Sequence, residues 1–331
     1  TQSLDTDFGR SELVHRPHGI MAVMGPFNFP GHLPNGHIIP ALLAGNTIVF
    51  KPSELAPATG ELLVKTMEKA GLPPGVLNLV QGARDTGAAL LDGDLDGVLF
   101  TGSATTGTFI HKKFGGRPDI MLALEMGGNN PLIAWDSPDA AASIIVNSAF
   151  ITTGQRCSCA RRLILPEGRF GDEVLEAVIA QTQAIRIGSR EDTAAFMGPL
   201  VSAQAAAATL DFQTRLSSLG GRLLLPATQP EADRGFVTAG LVEMTDANAP
   251  DEELFGPLLQ VFRVGTLDGA IARANDTRFG LSAGVVSAEE DVWTYARLRL
   301  RAEFIAEPDQ RRRAGADLDQ MEALLDDSLL L

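Results

Sequence analysis

Cysteine is scarce in this sequence. The 331 residues contain two cysteines, Cys157 and Cys159, separated by a single residue. A disulfide between them would be strained, and one bridge cannot stabilise a chain of this size. A zinc site would need further ligands, and the nearest upstream histidine is His111. We therefore expect no disulfide framework and no metal site, and a reducing cytoplasmic compartment is the simplest expectation.

Long apolar runs and an excess of basic residues are also lacking. No stretch of about 18 or more apolar residues occurs, so no transmembrane helix is expected. The formal net charge of −14 disfavours nucleic acids and anionic membrane surfaces as partners. The first residues, Thr-Gln-Ser-Leu-Asp, include neither an initiator Met nor a signal segment. We expect the chain to begin partway through a longer protein.

What the sequence does contain is a regular alternation of short apolar runs and helical stretches. Five apolar runs lie at 20–24, 47–50, 76–80, 97–100 and 120–124, with helical segments between them. This pattern predicts a parallel sheet covered on both faces, as in a Rossmann-like α/β domain. A second α/β domain is predicted after it, with strands at 162–165, 238–243 and 258–264.

The run Thr153-Gly154-Gln155-Arg156-Cys157 has the composition of a nucleophile-bearing turn. A reactive cysteine needs an exposed sulfur and a stabilised thiolate. Backbone N–H groups at such a turn could also hold an oxyanion. A lone cysteine is more often a small buried residue, so this interpretation depends on the other motifs.

A second motif, Leu124-Glu125-Met126-Gly127-Gly128-Asn129-Asn130, closes the last predicted strand of the first domain. A carboxylate at the carboxyl end of a parallel strand lies where α/β proteins bind ligands. Glu125 is therefore a candidate base for a thiol or a water, and we expect burial beside the strand to raise its pKa. The alternative is a carboxylate that only caps a turn.

Four further segments are weak signals individually, since each could be an ordinary loop. They contain Asn28 between two prolines, Lys51 and Glu54 after the second strand, Gly102, Ser103 and Gly107 in a strand-to-helix turn, and Glu253 and Phe255 before a Gly-Pro turn. A fixed amide suits an oxyanion, a Lys–Glu pair suits ribose hydroxyls, and free N–H groups at a helix start suit a phosphate.

In this order, the six segments together resemble the aldehyde dehydrogenase superfamily. The resemblance covers roughly residues 14–290 and is carried by the runs HRPHGIMAVMGPFNFPGHLPNGHIIPALLAGNTIVFKPSE, LEMGGNNPLI and GQRCSCARR. It implies an aldehyde dehydrogenase-like α/β fold with an NAD-binding domain at 1–124, a catalytic domain at 125–295 and a divergent tail at 296–331. It also implies NAD as cofactor and oxidation of an aldehyde to a carboxylic acid.

The resemblance gives each singled-out residue a role. Cys157 matches the nucleophile, Glu125 the general base, and Asn28 the amide that holds the oxyanion together with the Cys157 N–H. The cofactor residues are Lys51 and Glu54 at the adenosine ribose, Gly102, Ser103 and Gly107 near the pyrophosphate, and Glu253 and Phe255 at the nicotinamide riboside. The Cys157 sulfur and the Glu125 carboxylate are predicted to face each other across the cleft where the nicotinamide docks.

Within the family, the motifs are most similar to members acting on an anionic semialdehyde with two carboxylates. Arg156 and Arg161, with Arg162 as an alternative, are candidate carboxylate partners, because Arg binds carboxylates bidentately. Structural ion pairs are the competing interpretation for these arginines. His32 and Asn35 are candidates for the lining of an aldehyde channel.

Both ends depart from the family pattern. The family extends before Thr1, and the resemblance stops after about Trp293, where we hypothesise a frameshift or an unusual gene boundary near codon 297. The family forms homo-oligomers, an expectation that the absent segments weaken. Three alternatives stay open: a fragment that only binds nucleotide or a partner subunit, another semialdehyde dehydrogenase, and an acylating enzyme in which CoA replaces water.

Overall fold

Two compact units, Thr1–Met126 and Gly127–Leu331, make up the chain in a computed structural model. The structure describes residues 2–14, 16–136 and 141–306. The division lies two residues beyond the expected boundary at 124, and the roles assigned to the two domains stay predictions. Most of the predicted tail at 296–331, namely 307–331, lies outside the described residues.

The first unit contains a hairpin and a five-stranded parallel sheet. Its strands are β1 (Gln2–Thr6), β2 (Gly9–Leu13), β3 (Ile20–Met24), β4 (Thr47–Lys51), β5 (Leu77–Leu79), β6 (Gly97–Gly102) and β7 (Met121–Met126). Its helices are α1 (His32–Leu43), α2 (Pro57–Lys69), α3 (Arg84–Leu91) and α4 (Ala104–Phe114). β1 and β2 pair antiparallel, with Gln2 opposite Leu13.

The order of the parallel strands, β5-β4-β3-β6-β7, confirms the predicted Rossmann-like arrangement. Alternate residues of β3 enter different cores. Met21 and Val23 pack with Ile48 on one face, whereas Ala22 packs with Val98 on the other. A strand buried on both faces explains why this run is apolar throughout. β4 and β5 are added on one side of β3, whereas β6 and β7 are added on its other side. The point between β3 and β6, where the strand order changes side, is the place where open α/β sheets bind ligands.

The second unit is built on a seven-stranded sheet of order β10-β11-β12-β9-β8-β13-β14. Its strands are β8 (Pro131–Ala134), β9 (Arg162–Pro166), β10 (Arg222–Leu225), β11 (Gly240–Glu243), β12 (Leu258–Val264), β13 (Ser282–Val286) and β14 (Phe304–Ala306). Its helices are α5 (Ala141–Phe150), α6 (Arg169–Gln183), α7 (Ala203–Ser218), α8 (Leu267–Asn275) and α9 (Glu290–Arg297). Every pairing is parallel except that of β10 with β11.

This sheet is also covered on both faces. Leu163 and Leu165 of β9 enter one core and Ile164 enters the other, and all three are fully buried. The α/β fold class predicted from the sequence is thus confirmed in both units. Among the described residues, no helix is both long and apolar enough to cross a membrane, and no cluster of His, Cys, Asp and Glu could hold a metal ion.

One buried amide fastens the turn between α1 and β4 to the start of β3. Asn46 is 4% exposed; its Oδ1 accepts from the N–H groups of His18 (2.7 Å) and Gly19 (3.0 Å), and its Nδ2 donates to Ala41 O (2.9 Å). We expect Asn46→Ala to lower the free energy of unfolding by about 1–3 kcal/mol, because it leaves buried polar groups without partners. Urea denaturation of the full chain measures this loss.

Asn78→Ala is the matched control in the same unit. Asn78 also donates to two carbonyl oxygens, but its side chain is exposed, so water can replace both bonds. If Asn46→Ala leaves the unfolding free energy as unchanged as Asn78→Ala does, the role given to Asn46 is contradicted.

Candidate active site

The candidate residues of the first unit follow the carboxyl ends of its parallel strands. Asn28 follows β3, Lys51 ends β4 and Gly102 ends β6. Glu125 is the second-to-last residue of β7. Because these strands are parallel, their carboxyl ends share one edge of the sheet. The topology therefore brings the residues predicted from separate motifs to the same edge.

Lys51 is the one buried cation at this edge among the described residues. It is 7% exposed, and its Nζ donates to Pro52 O and to Gly82 O, both at 2.9 Å. Glu54 Oε2 lies 3.7 Å from the same nitrogen. Burial lowers the pKa of Lys51, and the nearby Glu54 carboxylate opposes that shift. Two carbonyls thus fix the ammonium, and Glu54 is a third partner for it.

The turn from β6 into α4 has the features of an anion site. Ser103 is the N-cap of α4, and its Oγ accepts from Thr106 N at 3.3 Å. Gly107 in the first turns of this helix is buried, and a Cβ there would lie 2.4 Å from Met126 Sδ. The glycine therefore allows the helix to pack closely on β7. Free N–H groups at the start of a capped helix favour a phosphate.

Glu125 differs from expectation in its surroundings. Burial against the strand was predicted, but the side chain is exposed. The reason is that β7 is an edge strand, so only part of its surface is covered by neighbours. The prediction of burial is wrong; the assignment of Glu125 as base remains a prediction.

The two candidate channel residues lie on α1. His32 is exposed, and its ring lies edge-on to Phe29 with centroids 6.5 Å apart. Asn35 is half-buried, and its Oδ1 is a buried atom without a hydrogen-bond partner. A buried acceptor left unpaired is costly, which makes Asn35 the stronger candidate for contact with a bound molecule.

In the second unit, a strained turn carries the candidate nucleophile. Residues 152–159, here called the cysteine turn, connect α5 to β9 and begin within a 3-10 turn, Ile151–Gly154. Thr152 (φ 54°), Thr153 (φ 58°) and Gly154 (φ 69°) are consecutive left-handed residues. Left-handed backbone is unfavourable for β-branched residues, and such strain concentrates at functional sites.

Hydrogen bonds hold this strained conformation in place. Thr153 Oγ1 donates to Gly198 O at 2.8 Å, and Gln155 Oε1 accepts from Val201 N at 2.9 Å. Gly154 approaches Gly256 so closely that a Cβ would lie 2.3 Å from the Gly256 carbonyl oxygen. The turn is therefore fixed before any ligand binds.

Cys157 and Cys159 differ in accessibility. Cys157 is half-buried, whereas Cys159 is 2% exposed and directs its Sγ toward Ile151 O. Burial and then the negative charge of Glu253 raise the pKa of Cys157, while N–H groups of Ser158 and of Cys157 itself act to lower it. Cys157 is the accessible thiol, and its environment holds it largely protonated.

Glu253 lies beside the glycine pair that follows β7. Its carboxylate packs on Gly127, where a Cβ would lie 2.0 Å from Oε2, so a larger residue could not occupy that position. Burial raises the pKa of Glu253, whereas Arg161 and the Gly128 N–H act to lower it. Oε1 is buried without a hydrogen-bond partner, 3.9 Å from Arg161 Nη2. A buried carboxylate oxygen in this state suits a hydroxyl donor.

Arg161 and Arg162 are buried and bind backbone carbonyls, which favours the structural interpretation of these two candidate substrate residues. Arg161 is 2% exposed and donates to Gly154 O (2.7 Å) and Arg156 O (2.8 Å), with its guanidinium 5.4 Å from the Phe255 ring centroid. Both arginines donate to carbonyl oxygens inside the core, but Arg161 Nε is buried without a hydrogen-bond partner, so the substrate role of these residues stays a prediction.

Arg162 donates through Nε to Asn129 O and through Nη2 to Ala274 O, both at 2.8 Å. Burial lowers its pKa to about 10. Arg156 differs from both neighbours: it is half-buried, and its Nε donates to Thr152 Oγ1 at 2.9 Å. Arg156 therefore stays a candidate for the substrate.

Asn130 was not predicted as a site residue, although it binds the cysteine turn and its neighbour Asn129 does not. Asn129 Nδ2 donates to Asp251 Oδ1 at 3.0 Å, and Asn130 Nδ2 donates to the carbonyl oxygens of Cys157 and Cys159. The available signal was two adjacent amides directly after a glycine pair, which is an unusual choice for the entrance of a buried strand.

Comparison with known proteins gives consistent matches. The model of the aldehyde dehydrogenase family matches residues 2–306, which extends the expected 14–290 at both ends and includes β14. N-succinylglutamate 5-semialdehyde dehydrogenase of Caulobacter sp. (strain K31) is 56% identical over 302 residues, covering 90% of this chain and 62% of that protein. The protein of the same name from Burkholderia orbicola (strain MC0-3) is 53% identical, with 90% and 62% covered.

Among solved structures, the Mycobacterium tuberculosis aldehyde dehydrogenase complexed with NAD+ superposes with a TM-score of 0.85 at 30% identity. The match covers 92% of this chain and 64% of that one. The predicted aldehyde dehydrogenase-like fold is confirmed by this similarity. The chain spans about 62% of the length of the curated relatives it matches.

The electrostatics of Cys157 generate a pH prediction. The Glu253 carboxylate raises the thiol pKa, so Glu253→Gln, which removes the charge, should lower that pKa and make thiolate available at lower pH. We expect the pH profile of iodoacetamide alkylation to move to lower pH by about half a unit to one unit. Mass spectrometry of the labelled chain measures the rate at each pH.

Cys157→Ala is the control, because the remaining Cys159 is buried and should stay unlabelled in the folded chain. A profile for Glu253→Gln that moves to higher pH would contradict the charge effect.

Proposed function

The chain belongs to the aldehyde dehydrogenase family, and we propose that it oxidises an aldehyde to a carboxylic acid through Cys157, with NAD+ as the oxidant. The observation that carries the proposal is the strained left-handed turn at Thr152–Gly154, which presents the accessible cysteine. Two curated relatives of the same name support N-succinylglutamate 5-semialdehyde as substrate, which would assign the chain to arginine catabolism. Cytoplasmic location is part of the same proposal.

The described residues fit a nicotinamide dinucleotide. Glu253 has an unpaired buried oxygen suited to a ribose hydroxyl, and Lys51 and Glu54 form an ion pair of the kind that suits ribose hydroxyls. The proposed cofactor residues are Lys51 and Glu54 for the adenosine ribose, Gly102, Ser103 and Gly107 for the pyrophosphate, and Glu253 and Phe255 for the nicotinamide riboside. Bound NAD+ supplies a two-electron acceptor.

The acidic partner at the adenosine ribose favours NAD+ over NADP+. Glu54 is half-exposed, with 52% of its side chain accessible, and its carboxylate can accept from a 2′-hydroxyl. A 2′-phosphate at the same place would meet a like charge. NAD+ is therefore the proposed cofactor.

The proposed chemistry begins at the sulfur. Cys157 loses its proton, and the thiolate forms a C–S bond with the aldehyde carbon. The oxygen then carries a negative charge, which the Asn28 amide and the Cys157 N–H are proposed to stabilise. The aldehyde hydrogen leaves with its electron pair, for which bound NAD+ would be the acceptor, and a thioester remains on Cys157. One donor to such an oxyanion is typically worth about 3–4 kcal/mol.

Hydrolysis completes the cycle. Glu125 is proposed to take a proton from water, whose oxygen attacks the thioester carbon. The C–S bond breaks, the electron pair returns to Cys157 as thiolate, and the carboxylic acid is released. An exposed carboxylate at the end of β7 can both reach water and pass the proton to solvent.

The proposed substrate carries two carboxylates besides its aldehyde. Arg156 adjoins the nucleophile, and the bond from its Nε to Thr152 Oγ1 fixes the guanidinium group beside the cysteine turn. A planar guanidinium suits a carboxylate. On α1, Asn35 and His32 are proposed to line the aldehyde channel, Asn35 through its unpaired buried Oδ1.

We expect the full chain to reduce NAD+ with N-succinylglutamate 5-semialdehyde and to do so faster than with glutamate semialdehyde or a simple aldehyde. Cys157→Ala should reduce the rate by at least about 10³-fold, because no other accessible thiol can form the covalent intermediate. Absorbance of NADH at saturating NAD+ is the measurement.

Cys159→Ala provides the matched control, because Cys159 is buried and its sulfur contacts a backbone carbonyl. It should retain NADH production. Full activity of Cys157→Ala, or no NADH from the unmodified chain with any of the three substrates, would refute the proposal; the second outcome favours a nucleotide-binding fragment.

A second prediction separates the two half-reactions. Glu125→Gln should release about one equivalent of NADH per chain and then stall, since the thioester forms but is hydrolysed roughly 10²–10⁴-fold more slowly. Rapid-mixing absorbance would resolve the burst, and intact mass would detect the acyl group on Cys157. Unchanged steady-state turnover in Glu125→Gln would exclude Glu125 as the base.

A further inference from the structure

A single buried amide connects the cysteine turn to the central sheet of the second unit. Asn130 immediately precedes β8 and is 3% exposed. β8 lies between β9 and β13, so its entrance is held from both sides by strand pairing. A side chain fixed at this point therefore has a rigid base.

Asn130 directs its side-chain amide donor to the cysteine turn. Its Nδ2 donates to Cys157 O at 2.6 Å and to Cys159 O at 3.0 Å. Its Oδ1 accepts from Ser282 N at 3.3 Å, which fixes the amide's orientation. The amide donor thus binds the carbonyls on both sides of Ser158.

The backbone of Asn130 adds a second connection. Its carbonyl oxygen accepts from Arg161 N at 2.9 Å and from Arg162 N at 3.1 Å, where the cysteine turn enters β9. Gly128 leaves room for this arrangement, since a Cβ there would lie 2.2 Å from Asn130 Oδ1. The glycine pair therefore serves Asn130 as well as Glu253.

The bond to Cys157 O sets the direction of a peptide group that the sulfur uses. In a trans peptide, the carbonyl and the N–H point to opposite sides. When Asn130 holds Cys157 O on one side, the Ser158 N–H of the same peptide is directed to the other. That N–H acts on the Cys157 sulfur and lowers the thiol pKa against the effect of burial.

We propose that Asn130 is a positioning residue for the nucleophile, which orients the Cys157–Ser158 peptide so that its N–H stabilises the Cys157 thiolate. This role rests on the proposed function, in which that thiolate attacks the aldehyde. Asn130 itself touches no reacting atom; it acts through the peptide group that it holds.

The test compares Asn130→Ala with the unmodified full chain. We expect iodoacetamide alkylation of Cys157, at a fixed pH below the midpoint, to slow by up to about tenfold, equal to a pKa rise of about one unit. The midpoint of the pH profile should move upward by the same amount. With the semialdehyde and NAD+, kcat should fall about 10- to 100-fold while KM changes little, because positioning is lost and not binding.

Asn129→Ala is the matched control. Asn129 is adjacent, equally buried at 2% exposure, and donates to Asp251 instead of the cysteine turn. It should leave the alkylation profile unchanged. If Asn130→Ala does not fold, Asn130→Ser carries the test, since a shorter hydroxyl cannot span both carbonyls and should give a smaller shift in the same direction.

Alkylation that is equally fast or faster in a folded Asn130 variant overturns the proposal, whatever the dehydrogenase assay gives. Slower alkylation with an upward shift supports it, even if neither the variants nor the unmodified chain reduce NAD+. The alkylation readout needs neither aldehyde nor cofactor, so failure of the positioning role and failure of the proposed function give different results.

Discussion

The geometry of the cysteine turn depends on two β-branched residues held in left-handed backbone. Thr152 and Thr153 adopt φ values of 54° and 58°, a conformation that costs about 1–3 kcal/mol for each such residue. The bonds from Thr153 Oγ1 to Gly198 O and from Val201 N to Gln155 offset that cost. A tight reversal of this kind lets Cys157 stop short of the core while Cys159, two residues on, enters it. The same left-handed backbone therefore explains why the Cys157 sulfur is accessible and the Cys159 sulfur is buried.

The two units present their candidate residues at opposite ends of their strands. In the first, they follow the carboxyl ends of β3, β4, β6 and β7, as expected for an open parallel sheet. In the second, Asn130 precedes β8, and the cysteine turn precedes β9. The N–H groups of Cys157 and Ser158, which lie in the cysteine turn, act on the Cys157 sulfur. The candidate carboxylate of Glu125 thus lies near the carboxyl end of a strand, whereas the amide of Asn130 and the cysteine turn precede strands.

Much of the fold was predictable because its strands are buried on both faces. The run predicted at 20–24 is the observed β3, Ile20–Met24, and the run predicted at 47–50 lies within β4, Thr47–Lys51. β1, β2, β8, β10, β13 and β14 were not predicted. β8 has only four residues and begins with Pro131, and β13 contains small residues such as Gly284, so neither shows an alternating pattern. β14 has only three residues and lies at the sheet edge, where Phe304 is exposed.

A site residue could be predicted from the sequence where its side-chain type indicates its role. It could not be predicted where the role depends on strand order or on hydrogen-bond partners distant in the sequence. Cys157 and Lys51 carry groups whose roles can be proposed from the sequence. The exposure of Glu125 follows from the edge position of β7, which sequence alone does not give. The role of Asn130 follows from its hydrogen bonds to the carbonyl oxygens of Cys157 and Cys159, which the sequence alone does not give.

Arg161 and Arg162 have a broader electrostatic consequence. Backbone carbonyls, which are neutral, satisfy most of their hydrogen bonds, so their charges are solvated by dipoles inside the protein. Dissolved ions cannot approach these guanidinium groups closely. Their attraction for nearby anions therefore persists at salt concentrations that weaken surface pairs such as Arg169–Glu173. In a chain whose formal charge is −14, the attraction between Arg161 and Glu253 therefore depends little on ionic strength.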